Sequence, residues 1–204
     1  MNVLTVYYTM YGHTLTLANS VHEGVNGVDG VRGVLRRAAE FDAVDKIIDK
    51  NDFARGVREQ QQDVPVCTVD DLRQADGVVF GSPTRYGNMT AQMKQLIDST
   101  AELWMNGEME GKPAGVFTST ASTHGGQETT LLTMMAPLLH LGMIIVGVPY
   151  STPGMIHTEA RGGTPYGAST IAGPEGELNP TEEDLKIAMV LGRRVAETTL
   201  KLRR

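Results

Sequence analysis

The chain has 204 residues, with 18 Lys and Arg against 24 Asp and Glu and a formal net charge of -6, a balance that excludes nucleic-acid binding through a basic surface. A chain of this length buries roughly 70% of its unfolded surface and needs no covalent staple; the lone Cys67 also excludes an internal disulfide or a cysteine-rich zinc site. The first eight residues have no basic run and too short an apolar run for a signal peptide, so a soluble cytoplasmic protein without an integral membrane segment is expected.

Along the chain, short apolar runs alternate with helical periodicity, the pattern of a parallel sheet covered on both faces. The first strand is expected at 3–8, the first helix at 12–26 and the second strand at 31–36. Residues 40–65 are polar and charge-mixed and read either as an exposed helix or as a mobile excursion over a sheet edge. A strand at 77–81, a helix at 91–103, a strand at 114–118, a helix at 127–141 and a strand at 143–148 follow. Residues 149–180 carry Pro149, Pro153, Pro165, Pro174 and Pro180 with six interspersed glycines, a density expected to exclude regular structure and to mark a functional or disordered loop. The last helix, 181–201, has Thr181 as N-cap, Glu182, Glu183 and Asp184 in its first turn, and Lys201, Arg203 and Arg204 at its negative end. Its Leu185, Ala188, Met189, Leu191, Val195 and Leu200 outline one apolar stripe for packing on the sheet. Repeats, low-complexity tracts and a domain boundary are all missing, so residues 1–204 are expected to form a single α/β domain.

The turn after the first strand reads Thr9-Met10-Tyr11-Gly12-His13-Thr14 and leads into an amphipathic helix. Such a turn aims several backbone N–H groups and a helix dipole at one spot, and Thr9, His13 and Thr14 add side-chain donors, which suits a phosphate held without Lys or Arg. Taken alone, it reads equally as a tight turn at Gly12 with a helix cap at Thr14, because neither the Walker A nor the dinucleotide glycine pattern is present. Parallel sheets bind ligands beyond the carboxyl ends of their strands. At that same edge the third strand ends in Gly81-Ser82-Pro83-Thr84-Arg85-Tyr86-Gly87-Asn88-Met89, and the fourth in Ser119-Thr120-Ala121-Ser122-Thr123-His124-Gly125-Gly126. Three small, hydroxyl-rich and glycine-rich loops at one edge suit a ligand with a phosphate, a polar chain and a planar ring.

These segments, with Gly-Gly-Gln-Glu at 125–128 and Arg-Gly-Gly-Thr-Pro-Tyr-Gly-Ala-Ser-Thr-Ile-Ala-Gly at 161–173, resemble the WrbA family of flavodoxin-like NAD(P)H:quinone oxidoreductases, in order and across nearly the whole chain. The resemblance implies a doubly wound five-stranded parallel sheet of order 2-1-3-4-5 with helices on both faces, noncovalent FMN, and a homotetramer acting on NAD(P)H and a quinone. It further implies that Thr9, Met10, Tyr11, Gly12, His13 and Thr14 hold the FMN phosphate. Pro83, Thr84, Arg85, Tyr86, Gly87 and Asn88 would frame the flavin ring, with Ser119, Thr120, Ala121, Ser122, Thr123, His124, Gly125 and Gly126 on its other side. Tyr11 would meet the nicotinamide nucleotide, and Trp104 and His140 would lie near the substrate side, His140 contacting the flavin or quinone or accepting a proton.

Structural readings stand beside these. Arg85 reads also as a solvated rim charge, His140 as a helix C-terminal residue favoured by the dipole, and Trp104 as a core or interface anchor. Cys67 reads as a small apolar packer, Met134, Met135, Met143 and Met189 as core or interface filler, and His22 as a surface helix residue. His157 has no nameable partner, and the histidines show no metal-ligand spacing, so no metal is expected. A one-electron flavodoxin-type carrier and an FMN-responsive interaction protein are the rival function classes.

Overall fold

The first strand, β1 (Asn2–Tyr7), is apolar on both faces: Val3 and Tyr7 enter one buried cluster, and Leu4 and Val6 enter another. Such a strand must lie inside a sheet covered on both sides. The structure, a computed structural model, describes residues 1–156, 158 and 163–202. His157, the first two residues of the fourth sequence motif, Arg161 and Gly162, and the terminal Arg203 and Arg204 lie outside the described residues.

From β1 the chain runs through α1 (His13–Asn26), β2 (Arg32–Arg37), α2 (Asp42–Ile48), α3 (Asp52–Gln60), α4 (Val69–Gln74) and β3 (Gly77–Pro83). It continues through α5 (Ala91–Asp98), α6 (Ala101–Met105), β4 (Pro113–Thr120), α7 (Gln127–His140), β5 (Ile144–Ile145), β6 (Gly163–Thr164), β7 (Gly167–Ile171) and α8 (Glu182–Leu202). Strands β2, β1, β3 and β4 are parallel neighbours in that order. The α/β sandwich is therefore flavodoxin-like.

The next position along the sheet is shared. Strand β5 pairs with Pro113 and Ala114 at the start of β4, whereas β7 pairs in parallel with residues 117–120 at its end, and β6 lies antiparallel outside β7. The expected strand at 143–148 is thus cut to two residues, and the expectation of no regular structure across 149–180 is corrected. Pro165 and Tyr166 make the turn between β6 and β7, and none of the prolines falls within 167–171. Gly167 is required there, because a Cβ would strike the Val116 carbonyl oxygen.

Residues 40–65 resolve as the helical alternative: α2 and α3 form a hairpin that buries Ile48, Ala54 and Val57. Helix α4 is an addition, only six residues long and closed by a capping box between Thr68 and Asp71. The helix expected at 91–103 is broken after Asp98, where the Ser99 and Thr100 hydroxyls donate to the Gln95 and Ile97 carbonyls at 2.8 and 2.6 Å. Side-chain hydroxyls that bond local carbonyls compete with the helical ladder.

One face of the sheet carries α1 and α8, with Leu17, Val21, Leu191 and Val195 over Tyr7, Val79 and Phe117; the other carries Met93, Leu131, Met134 and Leu138 over Leu4, Phe80 and Val116. Met134 and Met143 are core residues, and Met135 packs against the same cluster, as the sequence suggests. The buried face of α8 includes the expected Ala188, Leu191 and Val195 and adds Asp184, Ile187, Gly192, Ala196 and Thr199, whereas Leu185, Met189 and Leu200 are only partly buried. Gly192 lies at the middle of this face: a Cβ there would strike the Val21 carbonyl of α1, and one at Gly24 would strike the Met189 carbonyl of α8. Two small residues let these helix backbones touch. The expected cap is present: Thr181 Oγ1 accepts from Asp184 N–H at 3.2 Å, and the Asp184 carboxylate accepts from Thr181 N–H at 2.9 Å and the Thr170 hydroxyl at 2.7 Å. That carboxylate fastens α8 to β7. No helix among the described residues is long and apolar enough to cross a membrane.

Candidate active site

Parallel strands align their carboxyl ends, so the turns after β1, β3, β4 and β7 meet at one sheet edge around a cavity of about 470 Å³. The volume lies in the range of small-molecule and cofactor sites. Thr9, Met10, Tyr11, His13 and Thr14 form its floor, Pro83, Thr84 and Arg85 one wall, and Ser119, Thr120 and Ala121 another.

The floor is built by Gly12, whose φ of +91° reverses the chain into α1. Gly12 N–H donates to Thr9 Oγ1 at 3.0 Å, and its carbonyl accepts from Thr16 N–H at 3.0 Å. The first-turn amides of a helix have no intrahelical partner, and here no side chain caps them. Beside them the Thr14 hydroxyl is buried without a hydrogen-bond partner among the described residues, although Thr14 lines the cavity. Uncapped amides, a positive dipole end and an unsatisfied buried hydroxyl on one concave surface fit a phosphate.

The second loop is held from three sides. Thr84 N–H donates to the Ser119 carbonyl at 2.9 Å, Thr130 Oγ1 donates to Thr84 Oγ1 at 2.8 Å, and Thr133 Oγ1 donates to the Gly87 carbonyl at 3.1 Å. Arg85 and Asn88 exchange both backbone bonds around Tyr86 and Gly87, each at positive φ. The Tyr86 ring is fully exposed and does not line the cavity. Arg85 does line it, and its one recorded side-chain bond goes to the Thr84 carbonyl, leaving the guanidinium without a carboxylate partner among the described residues.

Other expected site residues fall outside the cavity lining. Ser122, Thr123 and His124 are exposed beyond Ala121, while Gly125 and Gly126 serve as the turn and N-cap of α7. His140 is exposed at the far end of α7, whose fourteen residues separate it by about 20 Å from the carboxyl edge where that helix begins. Trp104, 60% exposed on α6, lies near the opposite edge too, since Glu102 of the same short helix pairs with Arg73 just before β3. Within one chain, neither Trp104 nor His140 reaches the cavity.

Two further walls close the cavity, one from the long proline- and glycine-rich loop expected to be functional and one from residues 40–65, which the sequence did not place at the site. One is the turn at 172–176, anchored by Ala172 N–H on the Thr120 carbonyl at 2.7 Å. The other is Asn51 and Phe53 at the start of α3, whose ring faces Tyr11 with centroids 6.4 Å apart and planes 27° apart. The prolines of the long loop and the awkward polarity of 40–65 were signals that these segments have a task, without showing where they fold.

Glu40 ties the surroundings together. It accepts from the Tyr8 hydroxyl at 2.6 Å, Gln92 Nε2 at 2.6 Å and Phe41 N–H at 2.9 Å, joining the ends of β1 and β2 to α5. Burial and then this bond push the Tyr8 phenol upward, so it remains a neutral donor. Burial raises the Cys67 thiol to about 12, in keeping with a packing role.

A family model described as NADPH-dependent FMN reductase matches residues 11–157. The chain is similar to the NAD(P)H dehydrogenase (quinone) of Solidesulfovibrio magneticus, 49% identical with 100% of each chain covered. It is likewise similar to the NAD(P)H dehydrogenase (quinone) of Geobacter sulfurreducens, 51% identical over 99% of each. Among solved structures it resembles the WrbA-like flavodoxin protein of Agrobacterium tumefaciens at TM-score 0.65, with 22% identity and 99% of both chains covered. It also resembles oxidised Flavodoxin 2 of Bacillus cereus at TM-score 0.59 and 16% identity, covering 97% of this chain and 99% of that one.

Proposed function

Because the chain belongs to the NADPH-dependent FMN reductase family and is an FMN-dependent NAD(P)H dehydrogenase (quinone), we propose that it reduces quinones to hydroquinones by two electrons in a ping-pong sequence. The observation carrying this reading is the buried, partnerless Thr14 hydroxyl beside the uncapped first turn of α1, a cradle that suits the FMN phosphate. When bound, FMN supplies the hydride chemistry, accepting two electrons from the nicotinamide nucleotide and passing them to the quinone.

The protein's part is orientation and electrostatics. Thr9, Met10, Tyr11, Gly12, His13 and Thr14 would hold the phosphate, and Thr84 and Arg85 would face the ring across from Ser119, Thr120 and Ala121. The guanidinium of Arg85 would favour negative charge on the ring's polar edge, and the rigid anchoring of its loop means that little reorganisation accompanies that charge. One open cavity serving both substrates favours alternating occupancy. Initial rates at varied nucleotide and benzoquinone are expected to give parallel double-reciprocal lines; intersecting lines would show that both substrates bind together.

Residues 1–204 would act as one domain within a homotetramer in the cytoplasm. The substrate-side roles that the resemblance implies for Trp104 and His140 would require another copy, because their own chain holds both away from its cavity. Sedimentation of the FMN-loaded protein is expected to give about four times the chain mass, and a monomer would overturn this assembly.

A further inference from the structure

Phe53 is a large aromatic residue, 60% exposed on a surface where burial would be favourable, yet it lines the cavity mouth and faces Tyr11, itself 43% exposed. Its position is built. The Asn51 side chain accepts from Ala54 N–H at 3.0 Å and caps α3, which fixes the turn bearing Phe53. Ala54 and Val57 are buried on the inner side of α3, and Val57 lies against the phosphate turn, 3.4 Å from where a Gly12 Cβ would stand. Arg58 braces α3 on α2 through Asp49 at 2.7 Å and Asp45 at 3.4 Å. A capped, braced hairpin thus presents an aromatic face beside the site.

We propose that Phe53, with Tyr11, is the platform for the purine ring of the nicotinamide nucleotide and makes the site selective for a dinucleotide reductant. This rests on the reading that FMN occupies the cavity. A dinucleotide carries two planar rings joined by a diphosphate; when its nicotinamide enters the cavity, its purine needs a second surface outside. A quinone has no such second ring. Exposed aromatic area at the cavity mouth matches the second ring of the nucleotide, which a quinone lacks.

The test uses full-length, FMN-loaded wild type, Phe53→Ala and Phe53→Trp. Stacking a base on an aromatic side chain is worth enough that Phe53→Ala is expected to lower the second-order rate of flavin bleaching by NADH or NADPH about tenfold in anaerobic stopped flow. Bleaching by reduced nicotinamide mononucleotide, which lacks the purine, and reoxidation by benzoquinone are expected to stay within about twofold of wild type. Calorimetric titration with ADP is expected to weaken in Phe53→Ala by a similar factor and to recover in Phe53→Trp. An equal loss with the mononucleotide, a slower quinone step, or unchanged NAD(P)H rates would overturn the platform. Failure of wild type to bind FMN would instead overturn the underlying reading and the platform with it, whereas FMN bound equally by wild type and Phe53→Ala leaves the kinetics to judge Phe53 alone.

Discussion

Thr14→Val is expected to weaken FMN binding about ten- to a hundredfold while leaving the FMN-free protein at least as stable as wild type. The two effects have opposite signs for one reason. In the ligand-free protein the Thr14 hydroxyl is buried without a partner among the described residues, so it contributes a desolvation cost and no compensating bond. Valine has nearly the same shape and removes that cost. A hydrogen bond to a charged phosphate contributes about 1.5–3 kcal/mol, and losing it accounts for the expected change in affinity. Flavin fluorescence titration reads the first effect, and thermal melting of the FMN-free protein reads the second. A fall in ligand-free stability would show that the hydroxyl bonds within the protein, and an unchanged affinity would remove it from the phosphate site.

Gly192→Ala is expected to destabilise the protein by about 3 kcal/mol, at the upper end of overpacking costs, and to lower its melting temperature by about 10 °C. The added methyl would meet the Val21 carbonyl, a backbone atom of a buried helix that cannot swing aside as a side chain does. Relief requires α1 and α8 to separate, and the reciprocal contact of Gly24 with Met189 would open with them. Since α1 carries the phosphate turn at its other end, FMN affinity is expected to fall as well. Gly56→Ala supplies the contrast: Gly56 lies within α3, its new Cβ would meet nothing beyond its own helix among the described residues, and the same change there is expected to stabilise by about 0.5–1 kcal/mol. Chemical denaturation of both variants checks the pair. Similar effects at the two sites would show that helix propensity, and not backbone contact, governs Gly192.

Legibility in sequence followed the range of the forces involved. Residues 9–14 could be read as an anion turn because everything that makes them one, the strand before, the glycine and the hydroxyls, is contiguous in the chain. The C-terminal helix was readable for the same reason, since Thr181 and Asp184 cap it across a single turn. Strand β7 was hidden because its partner, β4, lies about fifty residues earlier, and proline density masked the clean run 167–171. Helix α4 was too short to show a period.

The sequence by itself determined a parallel α/β sheet, the edge at which its ligand loops gather and, through the family motifs, FMN and the enzyme class. Each follows from local backbone preference, alternating burial or a recognisable run of residues. The tertiary structure alone decided that Asn51 and Phe53 stand at the cavity mouth. It also decided that Gly24 and Gly192 meet, and that His140 and Trp104 stand apart from the cavity of their own chain. These are contacts between segments distant in the chain, set by how whole helix and sheet surfaces pack together, and no local pattern records that packing.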